Sequence, residues 1–124
     1  MESWNQEIGR RGENAAIRYL MMREYEILER NWSCPAGEAD VIALDDGALV
    51  FIEVKTRTSL ERGFPSEAVD AKKRSRYEKI AAWYLRSSDF VDISVRFDVI
   101  ELLVVGDDRA MVRHLKNAFA VVEL

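Results

Sequence analysis

The sequence predicts a mixed α/β sandwich, a central sheet with helices packed against it, on three observations. Apolar residues fall at helical spacing near the amino terminus and again between residues 66 and 86. An Asp46-Gly47 pair separates two stretches that alternate like strands, a strong hairpin signal because both central residues of a type I′ turn need positive φ. A further strand-like run, Val95 to Val105, follows the second helical stretch, so the order reads α-β-β-β-α-β.

The first helix is predicted from about Asn5 to Glu24, with Ile8, Ala16, Ile17, Leu20 and Met21 on one stripe. Tyr25 to Trp32 reads as a short strand and Ser33 to Gly37 as a loop containing Pro35. Glu38 to Leu44 and Leu49 to Thr56 form the hairpin, and Thr58 to Pro65 a loop. Ser66 is placed to cap a helix running to about Arg86, with Glu67 near its positive end. After Val95 to Val105 come an Asp107-Asp108 turn, a short strand near Met111 to Leu115 and a helical turn near Ala118.

With 124 residues, 48% apolar and 32% charged, the chain has the balance of one globular domain over residues 1–124. Its apolar runs are too short to span a bilayer, and its first residues lack the basic start and apolar core of a secretory signal. The single cysteine, Cys34, excludes a disulfide framework and a cysteine-rich zinc site. The expectation is a cytoplasmic protein with no membrane partner. The net charge of −4 is unusual for a phosphate-binding protein, but its distribution is uneven. From Lys55 to Arg86 nine basic residues stand against four acidic ones, a basic middle on an acidic body.

The hairpin turn fixes a register in which Leu44 faces Leu49, Ile42 faces Phe51, Asp40 faces Glu53 and Glu38 faces Lys55. Side chains two apart share a face, so these eight project together, while Ala39, Val41, Ala43, Val50, Ile52 and Val54 make an apolar opposite face. Opposed carboxylates have Cβ atoms about 4.5–5.5 Å apart, where like charges destabilise each other. A hard divalent ion such as Mg²⁺, with its preference for oxygen ligands, removes that conflict. Lys55, two residues beyond Glu53, is then placed to touch a water or phosphate oxygen. Metal-assisted phosphodiester hydrolysis uses these parts. The plain alternative is a surface Glu38–Lys55 ion pair with Asp40 and Glu53 solvated at strand ends. The single-face register of the Asp-x12-Glu-x-Lys spacing favours a site.

Glu13 lies on the apolar stripe of the first helix, either reaching that site or marking the edge of the stripe. Lys73 sits on the stripe of the second helix, either in the site or snorkelling to solvent. Lys72, Arg74, Arg76 and Lys79 make a phosphate-facing patch or simply the wet face of their helix. Trp32, Trp83, Tyr77 and Tyr84 could stack bases, but helical spacing favours core or half-core positions for the last three. His114, the only histidine, reads as a structural hydrogen-bonder.

Gly12-Glu13, Ile27 to Trp32, Gly37-Glu38-Ala39-Asp40 and Val50 to Arg57 resemble the YraN endonuclease family. So do Ala68-Val69 with Lys73, Arg96-Phe97-Asp98-Val99, and His114 with Asn117-Ala118-Phe119. The likeness spans nearly the whole chain. That family is similar to archaeal Holliday-junction resolvases and falls in the PD-(D/E)XK restriction-endonuclease-like superfamily. The resemblance implies the restriction-endonuclease-like αβββαβ sandwich, a mixed central sheet flanked by helices. It implies that Asp40 and Glu53 bind Mg²⁺ or Mn²⁺, that Glu13 completes the metal shell and that Lys55 is the catalytic lysine. Glu38 matches a supporting position, and Lys73 a basic position expected to contact phosphate. Ala39 stands where the family usually carries a larger aliphatic residue, and Ser33 to Ala36 lack an arginine often found there. The function expected is a Mg²⁺-dependent DNA endonuclease acting on branched or non-B DNA, as a monomer or a homodimer, with Lys72, Lys73, Arg74 and Arg76 on the nucleic acid. The alternative is a non-catalytic nucleic-acid- or partner-binding module that keeps the nuclease fold.

Overall fold

The computed structural model describes residues 3–58 and 71–119. The fold is α/β, with helices α1 (Trp4–Met22) and α2 (Ala71–Arg86). Its strands are β1 (Glu26–Cys34), β2 (Gly37–Asp45), β3 (Ala48–Arg57), β4 (Ser94–Val104) and β5 (Ala110–Phe119). They form one sheet in chain order, β1-β2-β3-β4-β5. Neighbours are antiparallel except β3 and β4. A parallel pair needs a crossover, and α2 lies within it.

Helix α1 starts on a capping box. The Ser3 hydroxyl accepts from the Gln6 amide at 3.2 Å, and the Gln6 side chain accepts from the Ser3 amide at 2.9 Å. Such a cap contributes about 1 kcal/mol. The apolar stripe of α1 buries Ala16 and Leu20 with Val41, Ala43, Val50, Ile52, Ile100 and Leu102. On the other face, Tyr77, Ile80, Ala81 and Tyr84 of α2 pack on Ile42, Leu49, Phe51 and Phe97. The side chains of the β2–β3 hairpin alternate between these two clusters, which is why both helices can reach its ends.

The hairpin register follows the turn, with Asp45 opposite Ala48 and Val41 opposite Ile52, and both Asp46 (φ 49°) and Gly47 (φ 82°) lie in the left-handed region. Four expectations change. Residues 33–37 are not a loop: β1 runs to Cys34, which pairs with Gly37 across a two-residue Pro35-Ala36 turn. The turn near Ala118 is not helical, because β5 continues in register along β4. Ala39 packs with Ile42 and Phe51 on the α2 side, since alternation breaks beyond Val41 where the β2–β3 pairing ends. Trp83 is neither core nor half-core but 40% exposed. The Ser66 cap, Glu67, Ala68-Val69 and nearly all of the Thr58–Pro65 loop lie outside the described residues.

Gly12 of α1 packs closely on Thr56 of β3. A Cβ there would overlap the Thr56 hydroxyl and crowd Thr56 Cβ at 2.9 Å. Gly12→Ala is therefore expected to cost about 1–3 kcal/mol, as overpacking does. Urea unfolding measures this, and an unchanged midpoint would mean that α1 shifts freely away from β3.

No described helix is long and apolar enough to cross a membrane.

Candidate functional site

The last recorded pair of the β2–β3 ladder is Val41 with Ile52. Asp40 comes just before it on β2 and Glu53 just after it on β3. Instead of extending the backbone pairing, Asp40 Oδ2 accepts a hydrogen bond from the Val54 amide at 2.8 Å. The Asp40 carboxyl thus sits in the splay between the strands, where side chains from both helices converge.

Burial pushes the Asp40 carboxyl up to about 6, partly opposed by the Val54 hydrogen bond and reinforced by the negative charges of Glu13, Glu53 and Glu38. Glu13 of α1 is therefore close enough to act on Asp40, as are Glu38 and Glu53. Glu38 itself is exposed and accepts from the Ser33 hydroxyl at 3.3 Å. Lys73 of α2 reaches in from the other side, its Nζ 3.2 Å from Glu53 Oε2, with both side chains mostly covered. Burial, a hydrogen bond with Lys73 and the charge of Lys73 all lower the pKa of Lys55, against the pull of Glu53. The structure thus gathers Glu13, Glu38, Asp40, Glu53, Lys55 and Lys73. Lys73, expected on phosphate, is ion-paired to Glu53.

The donor set suits a hard divalent ion: carboxylate oxygens that repel one another, one of them pushed up to about 6 by burial and further by that crowding. Among the described residues no three His, Cys, Asp or Glu side chains already form a ligand cage. Mg²⁺ does not require one, since it usually keeps several waters and uses one or two carboxylates.

The burial and crowding of Asp40 predict a pH dependence of stability. The folded pKa of Asp40 lies above the roughly 3.9 of an unfolded aspartate, so its ionisation opposes folding. The Asp40 contribution to metal-free stability should be full below pH ~4 and decline as pH rises through about 6. Asp40→Asn keeps an acceptor for the Val54 amide and removes the charge. It should raise metal-free stability by roughly 1–3 kcal/mol at pH ~7, a gain that vanishes near pH ~4. Denaturant titrations at both pH values test this, and an equal gain at both would rule out charge as the cause.

Three features escaped the sequence reading. The Tyr77 phenol, which helical spacing identified only as core, is raised well above its usual range by burial and by the charges of Glu53 and Asp40, so it abuts the site. Lys72, Arg76 and Lys79 of the expected phosphate-facing patch line an unforeseen cleft of about 630 Å³ between α2 and the Pro35-Ala36 turn, with Trp83 at its far end. Arg74 is exposed and does not line that cleft.

The third feature is a buried polar network on β4. Asp98, 2% exposed, accepts from Arg96 Nε at 2.9 Å, the Asn117 amide at 3.0 Å and the Tyr25 hydroxyl at 3.2 Å. It also pairs with His114 Nε2 at 2.8 Å, and His114 Nδ1 meets the Tyr19 hydroxyl at 3.2 Å. Burial alone would raise the Asp98 carboxyl, but hydrogen bonds from His114, Arg96 and Asn117 outweigh it and hold it well below the usual range. The hint in the sequence was an acid inside the apolar run Val95 to Val105, because carboxylates are rarely buried without partners. Glu101, in the same run, is also buried, and Arg113 is its ionic neighbour among the described residues, at 3.9 Å.

Residues 12–102 match the model of the uncharacterised protein family UPF0102. A UPF0102 protein of Caldanaerobacter subterraneus subsp. tengcongensis is 46% identical over 114 residues, covering 90% of this chain and 93% of that protein. One from Beutenbergia cavernae is 45% identical over 110 residues, covering 89% and 93%. One from Geobacter sulfurreducens is 39% identical over 115 residues, covering 93% and 90%.

Proposed function

The chain belongs to the UPF0102 family, and from that premise and the geometry of the β2–β3 edge we propose that it is a metal-dependent DNA endonuclease of the restriction-endonuclease-like fold. One observation carries the reading. Asp40, crowded by Glu13, Glu38 and Glu53, stands at the splayed end of a hairpin where Lys73 pairs with Glu53 and Lys55 lies against Lys73. Simple solvation does not account for carboxylates held together under mutual repulsion and partly removed from water.

Asp40 and Glu53 would hold a Mg²⁺ or Mn²⁺ ion, with Glu13 adding a further carboxylate. A bound ion of this kind supplies an activated water and neutralises charge on the phosphoryl oxygens. The chain's own residues do the rest. Lys55, its pKa lowered by burial and by Lys73, can give or take a proton at Nζ more readily than an exposed lysine. Its ammonium form can donate to a phosphate oxygen as negative charge grows there. Lys73 neutralises Glu53 and so keeps the acids together before a ligand arrives. Glu38 supports the acidic edge, and Tyr77 closes the site from the core side.

The expected substrate is branched or otherwise non-B DNA. A panel of junction, flap, single-stranded and duplex DNA, with Mg²⁺ or Mn²⁺, tests the proposal. Cleavage that needs metal and falls with Asp40, Glu53 or Lys55 substitutions supports it. If pure wild-type protein cuts nothing in the panel, a binding module that keeps this fold becomes the better reading, in line with the net charge of −4.

A further inference from the structure

Lys72, Arg76, Lys79 and Trp83 follow one another at i, i+4, i+7 and i+11, so they form a single stripe along α2. The stripe lines the cleft of about 630 Å³ whose other wall is the Pro35-Ala36 turn. At a rise of about 1.5 Å per residue it spans roughly 16 Å. None of the residues lining this cleft is acidic, and among the described residues no carboxylate pairs with any of the three cations. Like charges so spaced repel one another, and a polyanion is their complement.

Two features say more about the occupant. Trp83 is 40% exposed and lies on the charged stripe rather than in the core, where Tyr77, Ile80, Ala81 and Tyr84 go. The Arg86 guanidinium sits 5.3 Å from its ring centroid and adds another cation at that end. The near end meets the proposed catalytic edge, because Lys73, next to Lys72, touches Glu53. Arg76 Cδ also lies 3.3 Å from where a Cβ on Gly37 would be, one residue before Glu38. The cleft therefore leads from the carboxylates to an accessible indole.

We propose that this cleft binds a single-stranded segment of nucleic acid, with its phosphates along Lys72, Arg76 and Lys79 and an unpaired base stacked on Trp83. A duplex would offer its phosphates to the same cations, but its bases are already stacked and could not reach the indole face. A basic track with an aromatic platform is the general recipe for holding single strands, tolerant of sequence because every base has a π-face. The inference rests on the nuclease reading only for what it feeds. It specifies the substrate as one with a single-stranded stretch beside the scissile bond.

The test is binding without metal, in chelator, so that its outcome is separate from cleavage. Fluorescence anisotropy would compare three labelled probes: a mixed-sequence single strand, a strand of the same length carrying abasic sites, and a duplex. Trp83→Ala should weaken the base-bearing strand about 5- to 150-fold and leave the abasic strand and the duplex unchanged. Trp83→Phe should retain most of the affinity. Lys72→Ala with Arg76→Ala and Lys79→Ala should weaken all three probes, and reduce the slope of log affinity against log salt by about 0.7 per lost contact for the single strands. The proposal is overturned if wild type does not bind the single strand. It is equally overturned if Trp83→Ala binds it as wild type does, or weakens the abasic strand to the same extent. Absence of cleavage with these binding results intact would remove the nuclease reading and leave the single-strand cleft standing.

Discussion

On the proposed reading, in which the lysine acts on a proton or on developing charge rather than on the ion, Lys55→Ala should reduce cleavage by about 10²–10⁴-fold while metal still binds. The carboxylates remain, and Lys73 still neutralises Glu53. Glu53→Gln behaves differently. It nearly preserves shape but removes a ligand charge and the Lys73 ion pair together, so metal affinity and cleavage both fall. Single-turnover cleavage, run alongside metal titration of both variants, separates the two. A Lys55→Ala protein that cuts as fast as wild type would remove the lysine from the chemistry. Loss of metal binding in that variant would make it a structural residue.

The largest stability effect is expected from Asp98. Its carboxyl accepts from Arg96, His114, Tyr25 and the Asn117 amide in a buried setting, joining β4, β5 and the residue just before β1. Arg96 also pairs with Asp45 at 2.9 Å, tying in the end of β2. Removing one partner of a buried ionic cluster typically costs about 3–5 kcal/mol, because the others lose their counter-charge. Asp98→Asn should therefore lower the melting midpoint by roughly 10–25 °C at neutral pH. The sign with pH is fixed by the depressed carboxyl. Its contribution is fully present above the unfolded value near ~4 and is lost as pH falls through the still lower folded value. The difference between wild type and Asp98→Asn should thus be flat across neutral pH and shrink only in strong acid. A midpoint shift of a degree or less would show that the cluster contributes orientation rather than stability.

The elements built from local signals were legible in the sequence. Asp46-Gly47 specified both the turn and the register, since positive φ at two adjacent residues admits few alternatives. The α2 stripe correctly predicted Tyr77, Ile80, Ala81 and Tyr84 as buried. His114 proved the hydrogen-bonder that its isolation from other catalytic residue types suggested. What stayed hidden depends on long-range packing. Proline suggested a loop at 33–37, but a two-residue turn needs only positions 35 and 36, and the rest joined the sheet. Alternation predicted Ala39 on the α1 face, but alternation holds only while strands stay paired, and the splay that admits the Asp40 carboxyl ends the pairing. Lys73 pointed to the site by its place on the stripe, yet nothing local could choose Glu53 as its partner. The partners of Asp98 lie on β4 itself, on β5 and just before β1, Asn117 through its amide, and no spacing rule connects the distant ones.

The chain-order sheet has a consequence for how the site comes into being. β1, β2 and β3 are joined by turns of two residues, so Asp40, Glu53 and Lys55 meet by closing one short hairpin. The entropy lost on loop closure grows with the logarithm of loop length, and pairings between near neighbours in sequence are the quickest to form. The acids and the lysine at the centre of the edge thus belong to the part of the chain that finds itself first. Glu13 and Lys73 arrive only as α1 and α2 dock. Closing the hairpin alone is enough to bring its repelling carboxylates together, whereas the Lys73 counter-charge also requires α2 to be docked.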